Sequence, residues 1–422
     1  MDRTVIWLWL SLHFGAGTSI YEKLYSYFGD EYEIYNSDDS DVEPIEWLTE
    51  SQKRKLLDKN LDHAHEVMDW CIDNDVEVIS YASDNYPYAL KRIKNFPAVL
   101  YCLGEMPDFN DELAISVVGT RRMTMYGQKS AYSLGYGLAK GGAIVVSGMA
   151  LGIDATASLG ALNALGRTVV VLGSGIDVVY PRQNTQLMRK IIENGAVLTE
   201  YAPGTPPNAR NFPIRNRIIS GLSQGTVVVE GDENSGAMIT ASHAKEQKKA
   251  LFAVPGPIGA FSSTGPNALV RDGAMVATSA IDILEYFLDG YAHKISIQGA
   301  KIRPIFNRNS LKIASPNAID EEQEEYLNKS KALKKESKKL ARSFKEGKKE
   351  KADPKIEIPP FDPSELSEDE RKIYDLMEVG KPTTEDDLIQ HGYASADITS
   401  IFTMLEIAGA IEKKPGGFFV KR

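Results

Sequence analysis

Residues 114–147 read AISVVGTRRMTMYGQKSAYSLGYGLAKGGAIVVS, two short β-branched runs on either side of a stretch with helical periodicity. The same unit recurs downstream. Further runs are TVVVL (168–172), AVLTE (196–200), TVVVE (226–230) and ALFAV (250–254), with amphipathic helical stretches between them. Runs this continuously apolar suit strands buried on both faces. Their alternation with helices predicts a mostly parallel sheet joined by right-handed crossovers, a Rossmann-like, doubly wound α/β domain.

Gly119, Gly148, Gly173, Glu200, Gly231 and Pro255-Gly256 punctuate the ends of the runs. In open α/β sheets the ligand crevice lies outside the carboxyl ends of the strands, where glycine admits a close backbone and helix N-termini present N–H groups. The punctuation therefore outlines a binding edge.

Outside this domain the pattern changes. Residues 1–84 alternate apolar helical patterns with acidic turns and predict a small helical domain. The opening TVIWLWLSLHF is apolar for only about nine residues, short of the roughly 20 that span a bilayer, and reads as a buried first helix without a membrane role. Residues 85–290 hold the sheet. Residues 291–360 form a basic linker, with a Lys/Glu-rich stretch at 307–355 that suits a solvated tether or a nonspecific contact for a polyanion. Residues 361–422 give helix, short helix, apolar helix and strand-turn-strand, the winged-helix pattern. Its third helix, SADITSIFTMLEIAGA, has no Lys or Arg and carries Asp397 and Glu406, so it is a poor groove reader, although Lys413 and Lys414 stand in the wing.

The chain has 422 residues and a formal net charge of -10, but the charge is unevenly spread. The four segments 1–112, 113–290, 291–360 and 361–422 carry -14, +3, +7 and -6. The middle is locally basic, so overall acidity does not exclude an anionic ligand. Cys71 and Cys102 share no motif spacing with each other or with the histidines, which argues against a disulfide framework or a zinc site and for a reducing, cytoplasmic location.

Candidate residues follow the strand ends. SVVGTRR offers Gly119, Thr120, Arg121 and Arg122 for an anion, by turn N–H groups and guanidinium. It is not the dinucleotide fingerprint, because Arg121 and Thr124 stand where that motif needs glycine. VVSGMALGIDATA supplies Ser147, Gly148, Met149 and Ala150, with Asp154 expected to cap the following helix. VLGSGIDVVYP contributes Gly173 and Gly175, which serve a ligand or only close packing.

NARNFPIRNRIISGLS (208–223) holds Arg210, Phe212, Arg215, Asn216 and Arg217. Helical residues turn by about 100° each, so Arg215 and Arg217 point roughly 200° apart. One is expected to contact ligand and the other to take a structural partner, with Glu200 and Glu230 available. Phe212, on a Pro-rich loop, suits either base stacking or a hydrophobic staple. VVVEGDENSGAMITASHA adds Ser235 and Gly236 at a helix start and Thr240 one turn in. Glu230 lacks the companions of a catalytic acid: no Ser-His-Asp order, zinc spacing or phosphate loop accompanies it.

Taken in order, these motifs resemble the DNA-processing protein A family (DprA, also called Smf), densely over about residues 85–290. The resemblance implies an extended Rossmann fold with an N-terminal sterile-alpha-motif-like (SAM-like) domain and a C-terminal winged helix. It implies a non-enzyme that binds single-stranded DNA, forms homodimers through the Rossmann domain and loads RecA recombinase during natural transformation, without a cofactor. The rival is an enzyme or sensor for a nucleotide-derived small molecule at the same edge. The PGGxGT signature of such phosphoribohydrolases is missing from VVVEGDENSGAMIT.

Overall fold

The computed structural model describes residues 2–302 and 304, and in the C-terminal part residues 368–377, 382–383, 402, 405, 411–414 and 418–421. The stretch 307–355 and the second and most of the third winged-helix helices lie outside the described residues.

Nine strands form one sheet: β1 (Glu77–Ser80), β2 (Val99–Gly104), β3 (Ala114–Val118), β4 (Ile144–Ser147), β5 (Thr168–Val171), β6 (Gly195–Thr199), β7 (Gly225–Val228), β8 (Ala250–Ala253) and β9 (Met275–Val276). Their order is β1-β2-β6-β5-β4-β3-β7-β8-β9. From β6 to β9 every pairing is parallel, and β1 and β2 add an antiparallel edge. All residues of β3 through β7 are buried, as their uninterrupted apolar composition demands. Helices Met125–Lys140, Ile153–Asn163, Thr185–Glu193, Asn211–Leu222, Gly236–Glu246 and Thr264–Arg271 make the crossovers.

The chain runs from β3 to β6 toward one side of the sheet, then returns to place β7 on the other side of β3. That reversal is a topological switch point, and the crevice it opens lies above the carboxyl ends of β3, β4 and β7. The functional edge is therefore fixed by strand order.

The N-terminal helices share the core of the sheet. Asp2 caps helix Arg3–Phe14 through the Thr4 N–H, and Trp7, Trp9 and Leu10 of that helix are buried. The Trp7 ring lies 4.9 Å from that of Tyr81 and 6.2 Å from that of Phe96, beside β1 and β2. A single apolar cluster runs from Ile6 through Tyr101 to Val170. Each large side chain so buried contributes about 1.5–3 kcal/mol, so the helices are anchored on the antiparallel edge.

Residues 291–302, part of the stretch read as linker, pack onto the sheet domain. Ser296 donates its N–H to Gly141 O at 2.8 Å, and helix Ile297–Ala300 lies against the end of Met125–Lys140.

The C-terminal residues form a separate unit. Helix Glu368–Leu376 precedes Pro382–Thr383, and the hairpin strands Ile411–Lys414 and Phe418–Lys421 pair antiparallel. Phe418–Lys421 also pairs with Pro382–Thr383. Phe402 stacks on Phe419 with centroids 4.3 Å apart in a small core with Ile373 and Leu405. Among the described residues no helix is long and apolar enough to cross a membrane.

Candidate nucleic-acid interface

The turns after β3 and β4 are held together by one carboxylate. Asp154 is the second residue of helix Ile153–Asn163, whose N-cap is Gly152 at φ +84°. Its carboxylate accepts N–H groups from Gly148 at 3.1 Å and Gly119 at 3.4 Å. This corrects two expectations. Asp154 ties two turns instead of capping its own helix, and the Gly119 and Gly148 amides point at that carboxylate instead of at a phosphate. Gly148 is buried and Gly119 half-buried, where an unpaired N–H is costly, and the carboxylate satisfies both. Burial pushes the Asp154 carboxyl up to about 6, against the opposing pull of the Arg215 guanidinium and the N–H groups.

Both helical arginines are buried and engaged with protein acceptors, where the sequence predicts a structural partner for only one. Arg215 is 4% exposed and donates to Gly148 O at 3.0 Å, to Val171 O and to Asn216 Oδ1 at 3.3 Å. Burial lowers its pKa to about 10, with Asp154 opposing. Arg217, also 4% exposed, places Nη2 2.7 Å from Glu200 Oε1 and donates to Asn95 O and Ile214 O. Glu200 Oε1 also accepts the Gly17 N–H at 3.1 Å, which fastens the N-terminal helices to this wall. A desolvated guanidinium needs several acceptors, and backbone carbonyls at strand and turn ends supply them.

Glu230, 2% exposed, holds a different turn. It accepts from Thr124 N–H at 2.8 Å, Thr124 Oγ1 at 2.6 Å and Ser262 Oγ at 3.2 Å. Thr124 in turn caps helix Met125–Lys140 through the Gly127 N–H. Any Cβ at Gly127 would overlap the Glu230 carboxylate, so glycine is required there.

These supports frame an open cleft of about 680 Å³ at the switch point. Arg121 and Arg122 stand exposed at its mouth and Arg215 forms its floor. Phe212 lies inside the first turn of helix Asn211–Leu222, not on a loop, because that helix starts two residues before Pro213. The Arg121 guanidinium sits 5.4 Å from the Phe212 centroid, Arg215 5.8 Å and the Tyr180 ring 5.4 Å. The opposite wall is Ser235, Gly236 and Thr240, with Asn216 Nδ2 donating to Gly236 O at 3.2 Å across the joint. A Cβ added at Gly236 would meet open space, so this helix start faces the cleft unobstructed.

The structure thus brings together Gly119, Thr120, Arg121, Arg122, Ala150, Asp154, Phe212, Arg215, Asn216, Ser235, Gly236 and Thr240. The other candidates lie behind or beside the cleft. Ser147 Oγ is buried and donates to Val117 O, and buried Met149, at φ +55°, accepts from Asn184 Nδ2. Gly173 makes room for Phe212, whose ring a Cβ would meet at 2.8 Å, and Gly175 packs on the 202–205 turn. Arg210 is exposed outside the lining, and Arg217 and Glu200 form the buried pair. Tyr180 and Ile239 line the cleft although their sequence context gives them no role. Only the aromatic and apolar character at a strand-end turn and a helix start marks them.

Two exposed guanidiniums face a lining whose one carboxylate, Asp154, is buried beneath them, so the mouth is cationic. Among the described residues no group of three or more His, Cys, Asp or Glu is placed to hold a metal ion.

A family model described as DNA recombination-mediator protein A matches residues 77–288, and one described as DprA winged helix domain matches residues 357–417. DNA processing protein DprA of Bacillus subtilis (strain 168) is 41% identical over 210 residues, which cover 50% of this chain and 71% of the relative. Protein Smf of Escherichia coli (strain K12) is 36% identical over 239 residues, 56% of this chain and 64% of the relative. The X-ray structure of DNA processing protein A from Streptococcus pneumoniae superposes with a TM-score of 0.60 at 30% identity, covering 68% of this chain and 98% of that one.

Proposed function

This chain belongs to the DNA recombination-mediator protein A family, and from that membership we propose that its cleft grips the backbone of single-stranded DNA. The observation that carries the reading is the pairing of two exposed cations, Arg121 and Arg122, with a half-buried Phe212 and an exposed Tyr180 at one cleft mouth. Phosphates take the guanidiniums and the open start of helix Gly236–Glu246. A base takes the ring edge of Tyr180 and Phe212, which requires that it be unpaired. Asp154, Arg215, Glu200, Arg217 and Glu230 keep the walls in place. Contacts of this kind are salt-dependent and indifferent to sequence.

At the level of the whole protein the reading is a cytoplasmic DNA-processing protein. It works as a homodimer through the sheet domain and passes its bound strand to RecA recombinase during natural transformation. No reacting group is assigned, since the acids at the strand ends are engaged in structural bonds.

The test is competition for the purified protein between fluorescent oligo-dT and duplex DNA of equal length. Preference for the single strand supports the reading. Equal binding of duplex contradicts the single-strand reading, and turnover of nucleotides without strand binding favours the small-molecule alternative.

A further inference from the structure

The turn after β8, residues 255–263, leaves the same carboxyl edge as the cleft, one strand beyond β7. It carries two large apolar side chains into solvent: Ile258 is fully exposed and Phe261 is 75% exposed. The turn is nonetheless tightly fastened. Ser262 O accepts the Gly231 N–H at 2.7 Å, and Ser262 Oγ reaches Glu230 at 3.2 Å. The Asn267 side chain bonds both the N–H and the C=O of Gly256, at 3.1 and 3.2 Å. Tyr126 donates its hydroxyl to Pro255 O at 2.7 Å. Phe261 is therefore held outward by a fixed backbone, the condition under which an exposed ring binds without a large ordering cost.

The surface is continuous with the cleft. Ile239, 37% exposed, lines the cleft from the helix that follows the 231–235 turn, the turn to which Ser262 is bonded. Cations stand on the elements bonded to this turn. Arg122 lies at the cleft two residues before Thr124, which shares the Glu230 carboxylate with Ser262, and Lys129 is exposed on helix Met125–Lys140, whose Tyr126 bonds Pro255. Among the described residues neither Arg122 nor Lys129 has a carboxylate within ion-pair distance. Exposed apolar side chains on a turn bonded to cation-bearing elements match a chain whose charges and rings alternate, more closely than they match an apolar protein partner.

We propose that Phe261 and Ile258 form a second base ledge, over which a single strand leaving the cleft continues while Arg122 and Lys129 take its phosphates. The proposal rests on the reading of the cleft as a single-stranded-DNA site.

The experiment compares fluorescent oligo-dT of about 4 and about 12 nucleotides by anisotropy, with the full-length protein. Phe261→Ala with Ile258→Ala is expected to weaken the long oligonucleotide roughly 5- to 100-fold, to leave the short one unchanged, and to leave the salt slope unchanged because no phosphate contact is lost. Phe261→Tyr, which keeps the ring face, restores the long-oligonucleotide affinity. Unchanged binding of the long strand, or equal loss for both lengths, overturns the ledge. So does a shift in sedimentation with DNA affinity intact, which would make the ledge a protein interface. Wild-type protein that binds neither length would instead remove the cleft reading, and the ledge with it.

Discussion

The Asp154 carboxylate binds the Gly148 N–H at 3.1 Å and the Gly119 N–H at 3.4 Å, so one buried acid joins the turns that follow two adjacent parallel strands. The N–H groups of the glycines that punctuate those strands thereby brace the cleft walls. Asp154→Ala would leave the buried Gly148 N–H and the half-buried Gly119 N–H unpaired and remove the carboxylate that acts on the Arg215 charge. It should cost on the order of 3 kcal/mol in urea unfolding.

The same residue gives a pH signature. Its folded pKa, pushed up to about 6, lies above its ordinary value of 3.8. A carboxyl raised by folding favours the folded state fully below its unfolded value and loses that contribution as pH rises through the folded one. The stability difference between wild type and Asp154→Asn should therefore shift against wild type as pH is raised from 4 to 6, measured by parallel urea titrations. A difference independent of pH over that window would show that the acid is not raised.

Arg217 and Arg121 should separate cleanly. Arg217→Ala leaves Glu200 buried with its charge uncompensated, which costs about 3–5 kcal/mol of stability. The protein that remains folded should bind DNA with an unchanged salt slope. Replacing Glu200 and Arg217 together by Gln and Met should recover much of the stability, because the stranded charge is removed.

Gly127→Ala places a methyl group on the Glu230 carboxylate and forces it off Thr124. Overpacking and loss of the helix cap should lower stability by about 1–3 kcal/mol, read as a fall in Tm. Loss of the neighbouring turn geometry should weaken DNA binding as well.

Much of the fold is legible in the sequence, and for a physical reason. A strand buried on both faces is written as a largely apolar run, so the runs at 114, 143, 168, 196, 226 and 250 begin within a residue of β3 to β8. The edges are less legible. β9 has two residues and β1 is half exposed, so neither carries a run long enough to stand out. At the cleft, helical geometry separates Arg215 from Arg217, but it does not reveal that both are buried. Their acceptors are mainly backbone carbonyls of Gly148, Val171, Asn95 and Ile214, and a carbonyl has no letter in the sequence. Glu200 is legible as a partner because its charge is. Tyr180 is not, because its place beside Phe212 is set by two chain segments meeting over the sheet edge.

If Arg121 and Arg122 hold phosphates of a single strand at the mouth of the switch-point cleft, the slope of log K against log salt concentration for fluorescent oligo-dT must differ between wild type and Arg121→Ala/Arg122→Ala. Two single-strand phosphate contacts contribute about 1.4 to that slope, so the double variant should show a slope shallower by about that amount together with weaker binding at low salt. An unchanged slope in a normally folded double variant would contradict the account, since the phosphates would then be held elsewhere.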